Sequence, residues 1–208
     1  GLEIGAFHAP TPLADGCEAD YLDQMSIDDI KKRFPKYEDY YCVYPNIIEN
    51  GELLISIEDN KYDFLIANHM IEHTENVFKT IQNHLRVLKK GGILYYAVPD
   101  KRFTFDKNRE LTTYEHLKAE YLYGSENYRY EHFLDFVTNV QNVKEEKEAS
   151  KVAKKLSEEG LDTHFHVWTS ETFIDHIKKA IDDKILNIEI LEHTHKNDIE
   201  SITILKKL

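Results

Sequence analysis

The sequence predicts an α/β protein: a seven-stranded, mostly parallel sheet with helices on both faces, an antiparallel C-terminal hairpin and a helical insertion. Three observations carry this. First, Asp63–Ala67 and Ile93–Val98 are near-continuous apolar runs, the pattern of parallel strands covered on both faces. Second, the segment between them, Glu75–Lys89, repeats apolar residues at helical spacing, which makes a right-handed βαβ unit. Third, Leu186–Leu191 and Ser201–Leu205 alternate apolar and polar residues, as the two strands of a closing hairpin do.

The elements follow in order. Gly1–Ile4 reads as the end of a buried strand that Gly5 terminates. Ala6–Gly16 holds Pro10, Pro12 and Gly16, which argues against a continuous helix. Glu18–Leu22 is a second strand, closed by Asp23. Ser26–Phe34 is a short helix with Ser26 as N-cap and Asp28 and Asp29 in its first turn. Tyr40–Tyr44 is a weak third strand, and Ile47–Leu54 a turn and connector. After the fourth strand, Phe78, Ile81, Leu85 and Leu88 mark one helical face, and Gly91-Gly92 is read as that helix's end. Pro99 ends the fifth strand. From Lys101 to Leu161 the pattern breaks into Tyr, His and charge, with helices at Leu111–Tyr123 and Glu131–Leu156. The charged run Lys144–Glu159 reads as a solvated helix face. The chain is thus one domain, 1–208, with a helical cap inserted at about 101–165. Thr169 or Ser170 caps a helix carrying Phe173, Ile174, Ile177 and Ile181, and His193–Asp198 joins the final hairpin.

Composition bounds function. Of 208 residues, 41% are hydrophobic and 31% charged, which suits one soluble core. Acidic residues (38) outnumber basic ones (26), a formal charge of -12, the wrong sign for a phosphate-backbone binder or an anionic membrane. No apolar run approaches the roughly 18 residues that span a bilayer. Cys17 and Cys42 form no metal or disulfide pattern, so a reducing, cytoplasmic setting is expected. The chain begins at Gly1 inside a strand, and residues upstream of it are expected.

The chemistry-bearing residues begin with Leu2-Glu3-Ile4-Gly5-Ala6-Phe7. A glycine at a strand's C-terminal end lets backbone pass close under a ligand. Asp23, 18 residues later at the next strand's tip, can accept both hydroxyls of a ribose. A full G-x-G-x-x-G series and the helix a pyrophosphate needs are missing, which weakens a dinucleotide site. Then come Tyr62–His73, ending Asn68-His69-Met70-Ile71-Glu72-His73, and Leu85–Leu94, containing Leu85-Arg86-Val87-Leu88-Lys89-Lys90-Gly91-Gly92. Val98–Asp106, Thr112–Leu117 and His164-Phe165-His166-Val167-Trp168-Thr169 complete the set.

Together these segments resemble the class I S-adenosylmethionine-dependent methyltransferases, and within them a bacterial subgroup associated with surface-polysaccharide synthesis. The departures are Phe7, where many relatives have glycine, and the short proline-rich link to Asp23. The resemblance implies a Rossmann-like fold, S-adenosylmethionine as methyl donor and S-adenosylhomocysteine as product. It also implies roles. Glu3 and Gly5, with Ala6 and Phe7 in the same loop, would line the methionine end, and Asp23 would hold the ribose. Glu49 or Asn50 would sit near the adenine, and Asn68 and His69 would flank the donor.

A hydroxyl acceptor needs a base near neutral pH, which histidine supplies. His164 and His166, on one face of an extended segment, are the first candidates; Asp100 at the fifth strand's tip and His73 are others. Lys101 and Arg102 could clamp an acceptor phosphate or carboxylate, with Asp106 and His132 beside them. Glu72, His132, His164 and His166 could ligate a metal, but no tight spacing supports one, and none is expected. The expected partner is a small acceptor, such as a sugar or phosphorylated metabolite, with a homodimer left open. Two other functions compete: an NAD(P)-dependent oxidoreductase on a similar sheet, and a donor-binding scaffold that partners a glycosyltransferase through the charged helix at Lys144–Glu159.

Overall fold

The computed structural model describes residues 1–196 and 199–208. Seven strands form one sheet: β1 (Leu2–Ile4), β2 (Asp20–Asp23), β3 (Ile47–Ile48), β4 (Tyr62–Asn68), β5 (Leu88–Pro99), β6 (Ile188–Lys196) and β7 (Glu200–Lys207). Their order is β3-β2-β1-β4-β5-β7-β6. The first five strands are parallel, and β7 runs antiparallel between β5 and β6. This is the mostly parallel sheet with an antiparallel C-terminal pair that the apolar pattern predicts, and the Rossmann-like fold that the resemblance implies. The hairpin connection expected at His193–Asp198 is partly strand, since β6 continues to Lys196; its residues 197 and 198 lie outside those described.

Three elements differ in kind from expectation. The third strand is Ile47–Ile48, not Tyr40–Tyr44: Tyr41 and Tyr44 are exposed, and Leu22 and Asp23 pair with Ile47 and Ile48. The helix after β4 is α2 (Val77–Val87), capped by Asn76, whose side chain accepts from the Lys79 amide. It stops before Gly91-Gly92, which lie inside β5. There the register with β4 jumps from Tyr62↔Leu88 to Phe64↔Ile93, and Gly91 takes φ 79°. The glycines therefore make a bulge, where one residue must adopt a left-handed backbone, rather than a helix cap. The third difference is in the insertion, where Glu131–Leu156 is two helices.

α1 (Ile27–Arg33) follows β2, and Ser26 caps it by accepting from the Asp29 amide. No helix lies between β1 and β2; Ala6–Ala19 is turns and extended chain. The insertion between β5 and the last helix holds three 3-10 turns, α3 (Tyr114–Tyr123), α4 (Arg129–Asn139) and α5 (Glu146–Glu159). Asn142, at φ 58°, turns the chain between α4 and α5, and Glu145 starts α5 by accepting from the amides of Lys147 and Glu148. α6 (Ser170–Asp182) returns to the sheet behind a capping box of Thr169 and Thr172.

The main core lies between sheet and helices. Phe78, Ile81 and Leu85 of α2 and Phe173 and Ile177 of α6 pack with Leu65, Leu94, Tyr96 and Leu205. Burial of each such side chain stabilises by about 1.5–3 kcal/mol. A smaller core, Phe133, Val137, Ala149, Ala153 and Phe165, holds α4 to α5. Only two α5 residues, Ala149 and Ala153, are buried, so its charged face is solvated. Among the described residues no helix is long and apolar enough to cross a membrane.

Candidate functional site

The sheet changes winding direction between β1 and β4, and open α/β sheets bind ligands at such a point, outside the strands' carboxyl ends. A cavity of about 390 Å³ opens there. Gly5, Asp23, Asn68 and His69 line it from the tips of β1, β2 and β4, with Phe7, Glu52, His73 and Asp162 completing the wall.

Backbone geometry explains the first strand's tip. Gly5 has φ 71°, which suits glycine, and a Cβ built on it would meet nothing within 4 Å. Its bare backbone faces open space. Phe7 also takes a positive φ, 43°, without glycine's freedom. Its ring is held edge-on against Tyr37, centroids 4.9 Å apart, and Tyr37 packs on Tyr40. The loop is braced from below: Thr11 donates its amide and hydroxyl to Glu3 Oε1 at 2.9 and 2.7 Å, and Asn68 Nδ2 donates to Thr11 Oγ1 at 2.8 Å. Glu3 is therefore buried beneath the loop rather than on the cavity wall. Its Oε2, together with Asn68 Oδ1 and Glu49 Oε1, is buried without a hydrogen-bond partner. Ala6 is buried and does not line the cavity.

Asp23 is half-buried and accepts from the Met25 amide at 3.4 Å; burial raises its carboxyl above the usual value despite backbone hydrogen bonds. Glu49 and Asn50 follow β3 but turn inward on their own connector: Glu49 Oε2 accepts from Ser56 N, and Asn50 Oδ1 from Glu52 N. Glu52, two residues on, reaches the cavity instead. Burial, with Glu75 nearby, pushes its carboxyl up to about 7.

His73 borders the cavity and bonds Asp162 through Nδ1 at 2.7 Å. Burial works against its positive charge, yet Asp162 and Glu72 outweigh burial and raise its pKa above the ordinary value. His164 does not line the cavity. Its ring stands edge-on to His73, 4.7 Å between centroids, and Nδ1 bonds Asp106 Oδ2 at 2.6 Å. Asp106 is buried against Arg109, itself buried, which also reaches Asp135 and the carbonyls of His164 and Phe165. Burial opposes the Asp106 charge, but His164 and Arg109 hold its carboxyl below the usual range.

His166 parts company with His164. It is fully buried in a second group with His116, Glu120 and His132. Asp100 is buried too: it accepts from Arg102 and from the Ser170 amide, so it ties the end of β5 to α6. Arg102 is neutralised by Asp100 and Glu171, and Lys101 donates to the Arg109 carbonyl. Neither cation points to a free anion site.

Residues 14–180 match the family model of a methyltransferase domain. The chain belongs to this methyltransferase family. No curated protein sequence matches it. Among solved structures, the methyltransferase domain is similar to a SAM-dependent methyltransferase from Methanosarcina mazei. Identity is 20% and the TM-score 0.52, over 100% of this chain and 91% of that one. A SAM-dependent methyltransferase from Aquifex aeolicus is similar at 9% identity and TM-score 0.50, over 100% and 81%. The trans-methyltransferase CalH, solved with SAH, aligns at 14% identity and TM-score 0.48; this chain spans 51% of it. At such identities, the likeness to the first two shows the fold.

Glu52, Asp162, Arg109, His116 and Glu120 were not singled out by sequence. For His116 and Glu120 a signal existed: a His and a Glu four apart on one helix share a face. Glu52 and Asp162 sit in connectors, where no periodicity points to the cavity.

Proposed function

We propose that this methyltransferase takes its methyl group from S-adenosylmethionine and transfers it to an oxygen of a small polar acceptor in the cytoplasm. The single observation that carries this is the cavity at the sheet's winding reversal, with Gly5 bare at one strand tip and Asp23 at the next. The residues present suit that donor. Asp23 would hold a ribose. The buried, unpartnered Oδ1 of Asn68, a residue of the cavity wall, suits an ammonium such as the donor's amino acid end. When bound, the donor supplies an electrophilic methyl on a sulfonium. The absence of a helix between β1 and β2 disfavours the oxidoreductase alternative, which needs a helix N-terminus for pyrophosphate.

The chain's own task is alignment and proton removal. His73, fixed by Asp162, would take the proton of the acceptor hydroxyl. The acceptor is a sugar or phosphorylated sugar of envelope polysaccharide synthesis; this rests on the sequence resemblance and on the aromatic surface around Phe7, Tyr37 and Tyr40.

Calorimetric titration of S-adenosylmethionine and S-adenosylhomocysteine, with NADH as control, tests the donor. Micromolar binding, on the order of -8 kcal/mol, is expected. Asp23→Ala should weaken it by about 10- to 100-fold. NADH binding without the methyl-cycle ligands would overturn the donor. Donor binding with no methylation of sugar or phosphorylated acceptors would overturn the acceptor.

A further inference from the structure

His116, Glu120, His132 and His166 lie in the cap, apart from the donor cavity. Their ligating atoms all fall within 4.8 Å of one another. Three segments converge there: α3 brings His116 and Glu120 one turn apart, α4 brings His132, and the chain before α6 brings His166. All three imidazoles aim Nε2 at one carboxylate or at each other. His116 Nε2 lies 3.2 Å from Glu120 Oε1 and 3.4 Å from His132 Nε2, and His166 Nε2 lies 3.4 Å from Glu120 Oε2.

These spacings are long for hydrogen bonds. A tetrahedron with zinc–ligand bonds of 2.0–2.1 Å has edges of about 3.3–3.4 Å. The His132 Nε2–Glu120 Oε1 distance, 2.6 Å, is the shorter one, and it would open by less than about 1 Å around an ion. The cluster is poorly satisfied by protons alone. His166 is 1% exposed, and neither ring nitrogen has a hydrogen-bond partner; Glu120 Oε2 is orphaned as well. Leaving such groups unmet in a protein interior is destabilising.

We propose that His116, Glu120, His132 and His166 bind one zinc ion as a closed, structural four-ligand site. Three imidazoles and a carboxylate suit zinc, and four protein ligands leave no open position for catalysis. His116, the most exposed ligand, gives the ion its way in. The ion would join α3, α4 and the His164–Trp168 segment. That segment's Phe165 amide donates to the Glu72 carbonyl at 2.8 Å, beside His73, so the ion would also steady the cavity's cap side. The proposal does not depend on the donor or acceptor.

The test uses the full chain, stripped by chelator, with zinc titrated by calorimetry and thermal unfolding followed in parallel. One zinc per chain is expected, with a rise in Tm of about 5–10 °C at free zinc near 100 times Kd. Cobalt in its place should give the intense visible bands of tetrahedral coordination. His116→Ala, at the least buried ligand, should weaken zinc at least about 10-fold. His73→Ala, in the neighbouring Glu72, His73 and His164 group, should leave zinc binding unchanged. No zinc binding, no change in Tm, or binding that survives His116→Ala but falls with His73→Ala would overturn the assignment.

Discussion

His73 borders the cavity while its Nδ1 holds the Asp162 carboxylate at 2.7 Å. A base must be neutral, and this histidine's pKa is raised, so kcat/KM should rise with pH through a midpoint above the ordinary value of about 6.5. His73→Gln should lower kcat by about 10²- to 10⁴-fold and remove that limb. Asp162→Asn should move the midpoint down, since Asp162 is the largest influence raising it. A pH profile unchanged in His73→Gln would show that another group takes the proton. At this scale the legible residues were those whose backbone or position at a strand tip limits what they can be. Gly5 and Asp23 are such residues. Asp162 was not legible, because it reaches His73 across 89 positions of chain. Nor could spacing show that Phe7 would accept a left-handed backbone, which costs on the order of 1–2 kcal/mol, with Tyr37 packed on its ring.

Elements were legible where burial wrote a long pattern, as in α2, β4, β5 and α6. They failed where a strand is short. Ile47–Ile48 is too brief to alternate, and only its pairing with β2 defines it. The glycine pair of β5 misled because a bulge and a helix terminus both favour left-handed backbone. One histidine ties these elements together. His84 of α2 is fully buried, with Nδ1 on the Tyr96 hydroxyl of β5 at 2.7 Å and Nε2 on the Gly51 carbonyl at 2.9 Å. Burial, against the hydrogen bond that Nε2 donates to the Gly51 carbonyl, lowers its pKa to about 4. The unfolded chain takes up this proton near pH 6.5, and the folded chain does not until about 4. Its stabilisation is thus full above about 6.5 and lost progressively as pH falls towards 4. The stability difference between the native chain and His84→Gln should therefore shrink by about 2 kcal/mol from pH 6.5 to pH 5, read from urea unfolding at each pH. A difference independent of pH would mean that His84 is not held neutral.

Across the whole molecule, the sheet core and the core under α4 and α5 are unequal. The sheet core is large and continuous, whereas Phe133, Val137, Ala149, Ala153 and Phe165 form a small one under α4 and α5. Phe133→Ala should cost about 3–5 kcal/mol locally. Hydrogen exchange should then show α4 and α5 losing protection while β4 and β5 keep theirs. Because Asp162 follows α5 into the cavity, donor affinity should fall as well. Equal loss of protection in sheet and cap would mean that the two unfold as one unit. The sheet's own order has another consequence. Its outer members are β3, two residues long, and β6, whose register slips between Ile190 and Glu192 and which carries Glu189, Glu192 and Lys196. A foreign strand seeking to add itself finds too short a run of amides on one side. On the other it meets a kinked, charged border. The fold thereby resists the runaway stacking of one chain upon the next that any sheet with two open margins invites.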